Sequence, residues 1–236
     1  MRSYTRHQLK QDRFATAVGE QVDWAVEHRD KLIWGGGILA AVLAIVIGGW
    51  FYLDARNTAA SVAMGNAVDI YQAQIRPADQ PAYPGILSYT SAAERAKNAK
   101  AAFEKVANGY PFTRTARLAR YFIGLTDIDL GNNADAERQL KEVADAGPAD
   151  LTALARMALA NLYRNTNRDQ QAIDLYKQLA DHPTNTVSKT AAQLQLADLY
   201  TEKQPSEAKR IYEQIRIEDP KGAAAEVAAT KLQAMK

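Results

Sequence analysis

Three histidines, His7, His28 and His182, are the side chains that titrate near neutrality in ordinary surroundings, and the chain has no cysteine. Beyond residue 53 only His182 remains, beside Pro183, where a helix has to end. A lone imidazole there has no nucleophile to activate and no second ligand for a metal, so it reads as a capping or surface residue. No glycine-rich phosphate loop and no nucleophile elbow occurs; Gly35-Gly36-Gly37 lies inside an uncharged stretch. The residue types therefore predict no catalytic residue, no metal or other cofactor, and no small-molecule substrate. Arg114, Arg117 and Arg120 recur every three residues and make a basic stripe, read as a solvated helix face. A net charge of +2 with 24% charged residues supplies no field to gather nucleic acid.

Since chemistry is sparse, position matters more. Leu32 to Leu53 is a run of 22 residues without a charge. As a helix it covers roughly 33 Å, against a hydrocarbon core of roughly 30 Å. Trp34 stands at one end and Trp50, Phe51 and Tyr52 at the other, the places where amphipathic aromatics favour the two interfaces. The run is too long, and begins too late, for a cleaved secretory signal. Arg2, Arg6, Lys10, Arg13, Arg29 and Lys31 precede it, whereas only Arg56 and Arg76 follow in the next thirty residues. The positive-inside rule then puts residues 1–31 in the cytoplasm and 54–236 across the membrane. Gly36, Ala40, Ala44 and Gly48 share one face of the span, a candidate surface for close packing against another helix. Before the span, Leu9, Phe14, Val18, Val22 and Val26 fall mostly four apart and predict a short amphipathic helical arm.

The outer segment repeats itself. Ala136, Ala172 and Ala208 are 36 apart, as are Leu140, Tyr176 and Tyr212, and Val143, Leu179 and Ile215. Within each set the residues are four and three apart, on one helical face. Pro148, Pro183 and Pro220 follow and mark boundaries. Upstream of each alanine lies a second periodic stretch, containing Gly124, Ala160 or Ala197, so each unit predicts a helix, a tight turn and a helix. The small residues of the two helices are expected to face each other and bring them close. Ala99, Phe103, Val106 and Pro111 form a degenerate earlier copy. Its first helix is placed near Ala60 to Ile75, cut off by the loop PADQPAYPG. Gly222 to Met235 predicts a closing helix that covers the last apolar face.

This spacing resembles the tetratricopeptide repeat: small-x-x-Tyr in the first helix, Ala-x-x-x-Phe/Tyr-x-x-apolar in the second, then proline. Ala160, Tyr163, Ala172, Tyr176, Leu179 and Pro183 match well. Unit one carries Asp127 where tyrosine is usual, and unit three is one residue shorter between Tyr200 and Ala208. The fold class implied is all-α: an N-terminal transmembrane helix, then an α-solenoid of about three to four helical hairpins. The resemblance implies a concave groove lined by first helices, through Leu118, Tyr121, Leu125 and Ile128, then Leu154, Met157, Asn161 and Arg164, then Leu194, Asp198 and Thr201. Such a lining suits an extended or unfolded polypeptide. The clamp some members use on C-terminal carboxylates needs paired Lys and Asn; Asn161 is present, but Met157, Leu194 and Gln195 occupy its partners' places.

Arm, span and outer repeats, in that order, resemble the ancillary subunit family of the bacterial SecYEG translocon, and TRHQLKQDRF…VDWAVEHRDK looks like the start of such anchored proteins. The resemblance implies a non-catalytic protein of the bacterial inner membrane with a periplasmic repeat domain. Its partners would be translocon subunits, a periplasmic chaperone and unfolded clients. A repeat scaffold of another envelope complex, in cell division, secretion or outer-membrane assembly, fits the same physics. So does a mitochondrial import receptor, which the missing carboxylate clamp disfavours.

Overall fold

The computed structural model describes residues 29–235, and of Leu32 and Gly36 the backbone alone. The expected amphipathic arm from Leu9 to Val26 lies outside the described residues. The chain divides into two compact units between Arg56 and Asn57, inside one continuous helix, α1 (Arg29–Tyr71). This 43-residue helix joins the apolar run and the first repeat helix without a break. Its early part exposes Ile38, Leu39, Val42, Leu43, Ile45, Val46 and Ile47. It is the one helix among the described residues that is long and apolar enough to cross a membrane.

From Asn57 onward the molecule is an array of helical hairpins. The C-terminal part of α1 pairs with α2 (Ala92–Gly109). Then come α3 (Arg114–Asp129) with α4 (Asn133–Ala146), α5 (Ala149–Asn165) with α6 (Asp169–Asp181), and α7 (Lys189–Lys203) with α8 (Pro205–Glu218). A closing helix, α9 (Ala223–Ala234), packs against α7 and α8. This all-α array accords with the sequence reading. Its one extended feature is a two-residue parallel pair, β1 (Gln74–Ile75) with β2 (Ser88–Tyr89). That pair corrects the first repeat helix, expected to reach Ile75: α1 stops at Tyr71, and the inserted loop begins with a strand. Arg76 fixes the loop, its N–H donating to the Tyr89 carbonyl at 2.9 Å and its guanidinium to the Gln80 carbonyl at 2.5 Å.

Local chemistry explains where the helices start. Ser91, Thr113 and Ser188 cap α2, α3 and α7, each accepting from a backbone N–H three residues on. Glu94 reaches back past the cap and accepts from the Thr90 N–H at 3.0 Å and the Thr90 hydroxyl at 2.8 Å. The turns between paired helices differ in a way the residue count reflects. Gly131 and Asn167 both take the left-handed conformation, at φ 77° and 58°. The α7–α8 connection has dropped that position, and Gln204 runs straight into Pro205 at the first helical place.

The 36-residue pattern is the core. Ala136, Ala172 and Ala208 are fully buried, as are Leu140, Tyr176, Tyr212 and Ile215, with Ala99 and Phe103 in the same role one hairpin earlier. Close approach of paired helices has a specific cause in the α3–α4 hairpin. A Cβ on Gly124 would lie 2.7 Å from Leu140 Cγ, so only glycine admits the leucine there. The nearest neighbour is thus the Leu140 side chain; the Ala136 carbonyl comes next, at 3.6 Å. Between the first hairpin and α3, Tyr71, Phe103 and Phe122 cluster, Phe103 and Phe122 stacked at 4.9 Å.

Candidate protein-binding groove

Successive first helices touch, α3 with α5 and α7 with α9, so their row is the inner side of the array. All eleven groove candidates lie on this row, and each is half-buried. Their surroundings differ. Leu118, Tyr121, Leu125, Met157 and Leu194 pack partly against the main core, and Ile128 does the same. Leu154 packs against a smaller cluster of Ala153, Leu179, Val187 and Ala192. The apolar candidates therefore serve stacking between hairpins as well as the inner surface.

The polar candidates are joined to second helices. Tyr176 on α6 donates its hydroxyl to Asn161 Oδ1 at 2.6 Å, and Tyr212 on α8 donates to Asp198 Oδ1 at the same distance. The two bonds are equivalent in successive hairpins. In the α3–α4 hairpin the corresponding pair is Leu125 and Leu140, without polar atoms. Burial pushes both tyrosine hydroxyls up to about 12, with the Asp198 carboxylate adding to the effect at Tyr212. They act as donors at neutral pH. Burial would raise the Asp198 pKa, but hydrogen bonds from Lys231 and Tyr212, with the charges of Lys231 and Arg164, hold it below the ordinary value.

Arg164, Asp198 and Thr201 come together with Glu202, Lys231, Ala234 and Met235 around a cavity of about 260 Å3 between α5, α7 and α9. Lys231 donates to Asp198 at 2.7 Å. Sequence reasoning missed Lys231, although a signal existed. Met157 and Leu194 are 37 apart, and one further step of 37 lands on Lys231. The closing helix thus continues the inner row while capping the core. The cavity offers two cations, two carboxylates and the Thr201 hydroxyl, with Asp198 already accepting two bonds. These groups can donate and accept hydrogen bonds, and no nucleophile among them is set against a base.

The basic stripe separates on inspection. Arg120 forms an ion pair with Glu142 on α4, Arg117 is half-buried, and Arg114 is exposed. His182 caps the end of α6. Among the described residues no three His, Cys, Asp or Glu side chains are placed to hold a metal. In the apolar part of α1, Ala40, Ala44 and Gly48 are exposed; of Gly36 only the backbone is described.

Where Asp127 replaces the usual tyrosine, an ion pair takes over. Asp127 is buried and accepts from Lys100 Nζ on α2 at 2.6 Å and from Asn132 Nδ2 at 3.1 Å. Glu137 on α4 does comparable work one hairpin on. It accepts from the Tyr163 hydroxyl at 3.0 Å, the Arg168 guanidinium at 2.6 Å and Lys141 at 2.6 Å.

A family model described as a tetratricopeptide repeat-like domain matches residues 30–236. Comparison with curated proteins and with solved structures returns no match.

Proposed function

The chain belongs to the tetratricopeptide repeat-like domain family, and from that premise we propose that it is a membrane-anchored scaffold that binds protein partners and performs no catalysis itself. One observation carries this reading: the inner row of α3, α5, α7 and α9, half-buried along its length, apolar near Leu118 and charged near Lys231. Such a row is a receptor for an extended chain. The apolar run in α1 supports an anchor, by length and composition.

At finer grain, the protein is an accessory of the bacterial Sec translocon. It sits in the inner membrane with its N-terminus in the cytoplasm and its repeats in the periplasm. There it helps a periplasmic chaperone receive exported proteins. Support comes from the order of arm, span and repeats, and from the basic residues concentrated before the span.

Purifying the tagged full-length protein in mild detergent and identifying its companions by mass spectrometry tests this. Translocon subunits with a periplasmic chaperone are the expected companions, and Ala40→Leu with Ala44→Leu then tests whether the span makes the contact. Another envelope complex in their place, with no translocon subunit, overturns the finer assignment in favour of a scaffold for division, secretion or outer-membrane assembly.

A further inference from the structure

The α2–α3 turn presents a phenylalanine to solvent. Tyr110, Pro111, Phe112 and Thr113 form a tight turn in which Thr113 Oγ1 donates to the Tyr110 carbonyl at 2.8 Å and the Thr113 N–H to the same oxygen at 3.4 Å. Pro in the second place and a left-handed residue in the third is the arrangement of a type II turn, whose third place favours glycine. Phe112 occupies that place at φ 68° and is 98% exposed. Water rewards neither the backbone strain nor the apolar exposure. The turn is also held from the other side, since Thr113 Oγ1 accepts from the Ala116 N–H at 3.0 Å and caps α3. The backbone of the turn is therefore held with Phe112 on its solvent side.

This turn lies at the end of the repeat array where the chain comes in. Tyr71 meets Phe103, while Ala63 and Asn66 line a cavity of about 410 Å3 with Gly109 and Tyr110, so the later part of α1 and α2 run antiparallel. Ala63 is ten residues beyond Leu53, the last residue of the uncharged run. Ten residues cover roughly 15 Å as a helix and no more than about 35 Å fully extended. The tether keeps the turn within reach of a bilayer surface. Lys105 lines the same cavity, and Arg114 opens α3; both are exposed. Glu104 faces a different cavity, shared with Arg120 and Glu142. An aromatic ring flanked by a tyrosine and two exposed cations matches the chemistry of an anionic lipid interface.

We propose that the Tyr110–Thr113 turn is a second membrane contact: Phe112 enters the boundary between headgroups and acyl chains, and Lys105 and Arg114 meet anionic headgroups. The inference rests on the reading of residues 32–53 as a membrane span.

The absence of cysteine makes the test direct. Phe112→Cys, Ile45→Cys and Ile217→Cys each place one nitroxide on the full-length chain, reconstituted into vesicles of phosphatidylcholine with phosphatidylglycerol. Collision with oxygen, which partitions into lipid, is compared with collision with a water-soluble nickel chelate; circular dichroism verifies the fold of each variant. The expected result is that labels at 45 and 112 collide preferentially with oxygen and the label at 217 with the chelate. Adding Lys105→Glu and Arg114→Glu should return the label at 112 to water. A label at 112 that behaves like 217 while 45 remains in lipid overturns the contact and leaves the span intact. A label at 112 shielded from both colliders marks a protein pocket instead and overturns it too. A label at 45 in water removes the span and the inference together.

Discussion

At Asp127 a single departure from the repeat pattern changes what joins two helices. Elsewhere a tyrosine or an apolar side chain fills the space, but here a carboxylate with only 1% of its side chain exposed faces a lysine that is 24% exposed. A charge this deep depends on its partner. Asp127→Ala leaves Lys100 able to swing toward water, so the loss falls below that of a fully buried pair, at about 2–3 kcal/mol. Urea unfolding of the detergent-solubilised protein should show this as a lower midpoint. Pairing Lys100→Met with Asp127→Leu should recover most of it, because two apolar groups leave no stranded charge. A double variant as weak as Asp127→Ala would show that the polar pair, including its bond to Asn132, has a role that packing cannot replace.

Glu137 gives the residue scale a pH dependence. Burial acts to raise its pKa, but the bonds from Lys141, Arg168 and Tyr163 prevail and hold it at about 2, against an ordinary 4.5. A folded value below the unfolded one means the ionised carboxylate favours the folded state fully above pH 4.5. That contribution fades as the pH falls toward 2. In Glu137→Gln the thermal midpoint should be lower than in the parent protein at pH 7, and the gap should narrow between about pH 4.5 and 2. A gap that stays constant through this window would mean the side chain acts through packing alone.

Among the elements, α9 has two tasks, covering α8 and completing the inner row. Ala225, Ala228 and Leu232 are its buried residues, and Lys231 its contribution to the cavity. A chain ending at Gly222 would expose Tyr212, Ile215 and Leu199 and leave Asp198 without Lys231. Such a truncated protein should melt lower and bind the dye ANS at temperatures where the full chain does not. Lys231→Met, by contrast, keeps the cap and removes only the charge, so it should leave ANS binding unchanged. If the truncation melts like the full chain, the capping role is wrong.

The elements also show what could be read in advance. Repeated alanines and aromatics at a 36-residue step exposed the hairpins, because burial on one helical face imposes a period that residues at the surface need not obey. The inserted loop was visible from its prolines, but its strand pair was not: two residues carry no periodicity. The first helices were legible as positions, and the roles of their side chains poorly. Leu118 and Leu125 look the same in sequence whether they line a surface or join hairpins. Asn161 and Asp198 face hydroxyls that lie 15 and 14 residues away, a relation no local pattern encodes. Phe112 announces itself only through its backbone angle and exposure.

For the whole molecule, orientation governs which partners the repeats can meet. Six basic residues precede the uncharged run and two follow it within thirty positions, the asymmetry on which the proposed cytoplasmic N-terminus rests. The cysteine-free chain permits a clean check with a maleimide that does not cross membranes. Ser3→Cys should react only after bacterial cells are lysed. Asp79→Cys, on the exposed loop between β1 and β2, should react in cells whose outer membrane alone is permeable. Reversal of the two reactivities would place the repeats in the cytoplasm, and the arm, now outside, could not be the retained positive flank. Reaction of both sites before lysis would show a chain that crossed the membrane whole instead of staying in it, and α1 would then have to bury its apolar surface against protein. The groove and its hairpins survive all three outcomes, because their packing is internal to residues 57–235; the choice of partners does not.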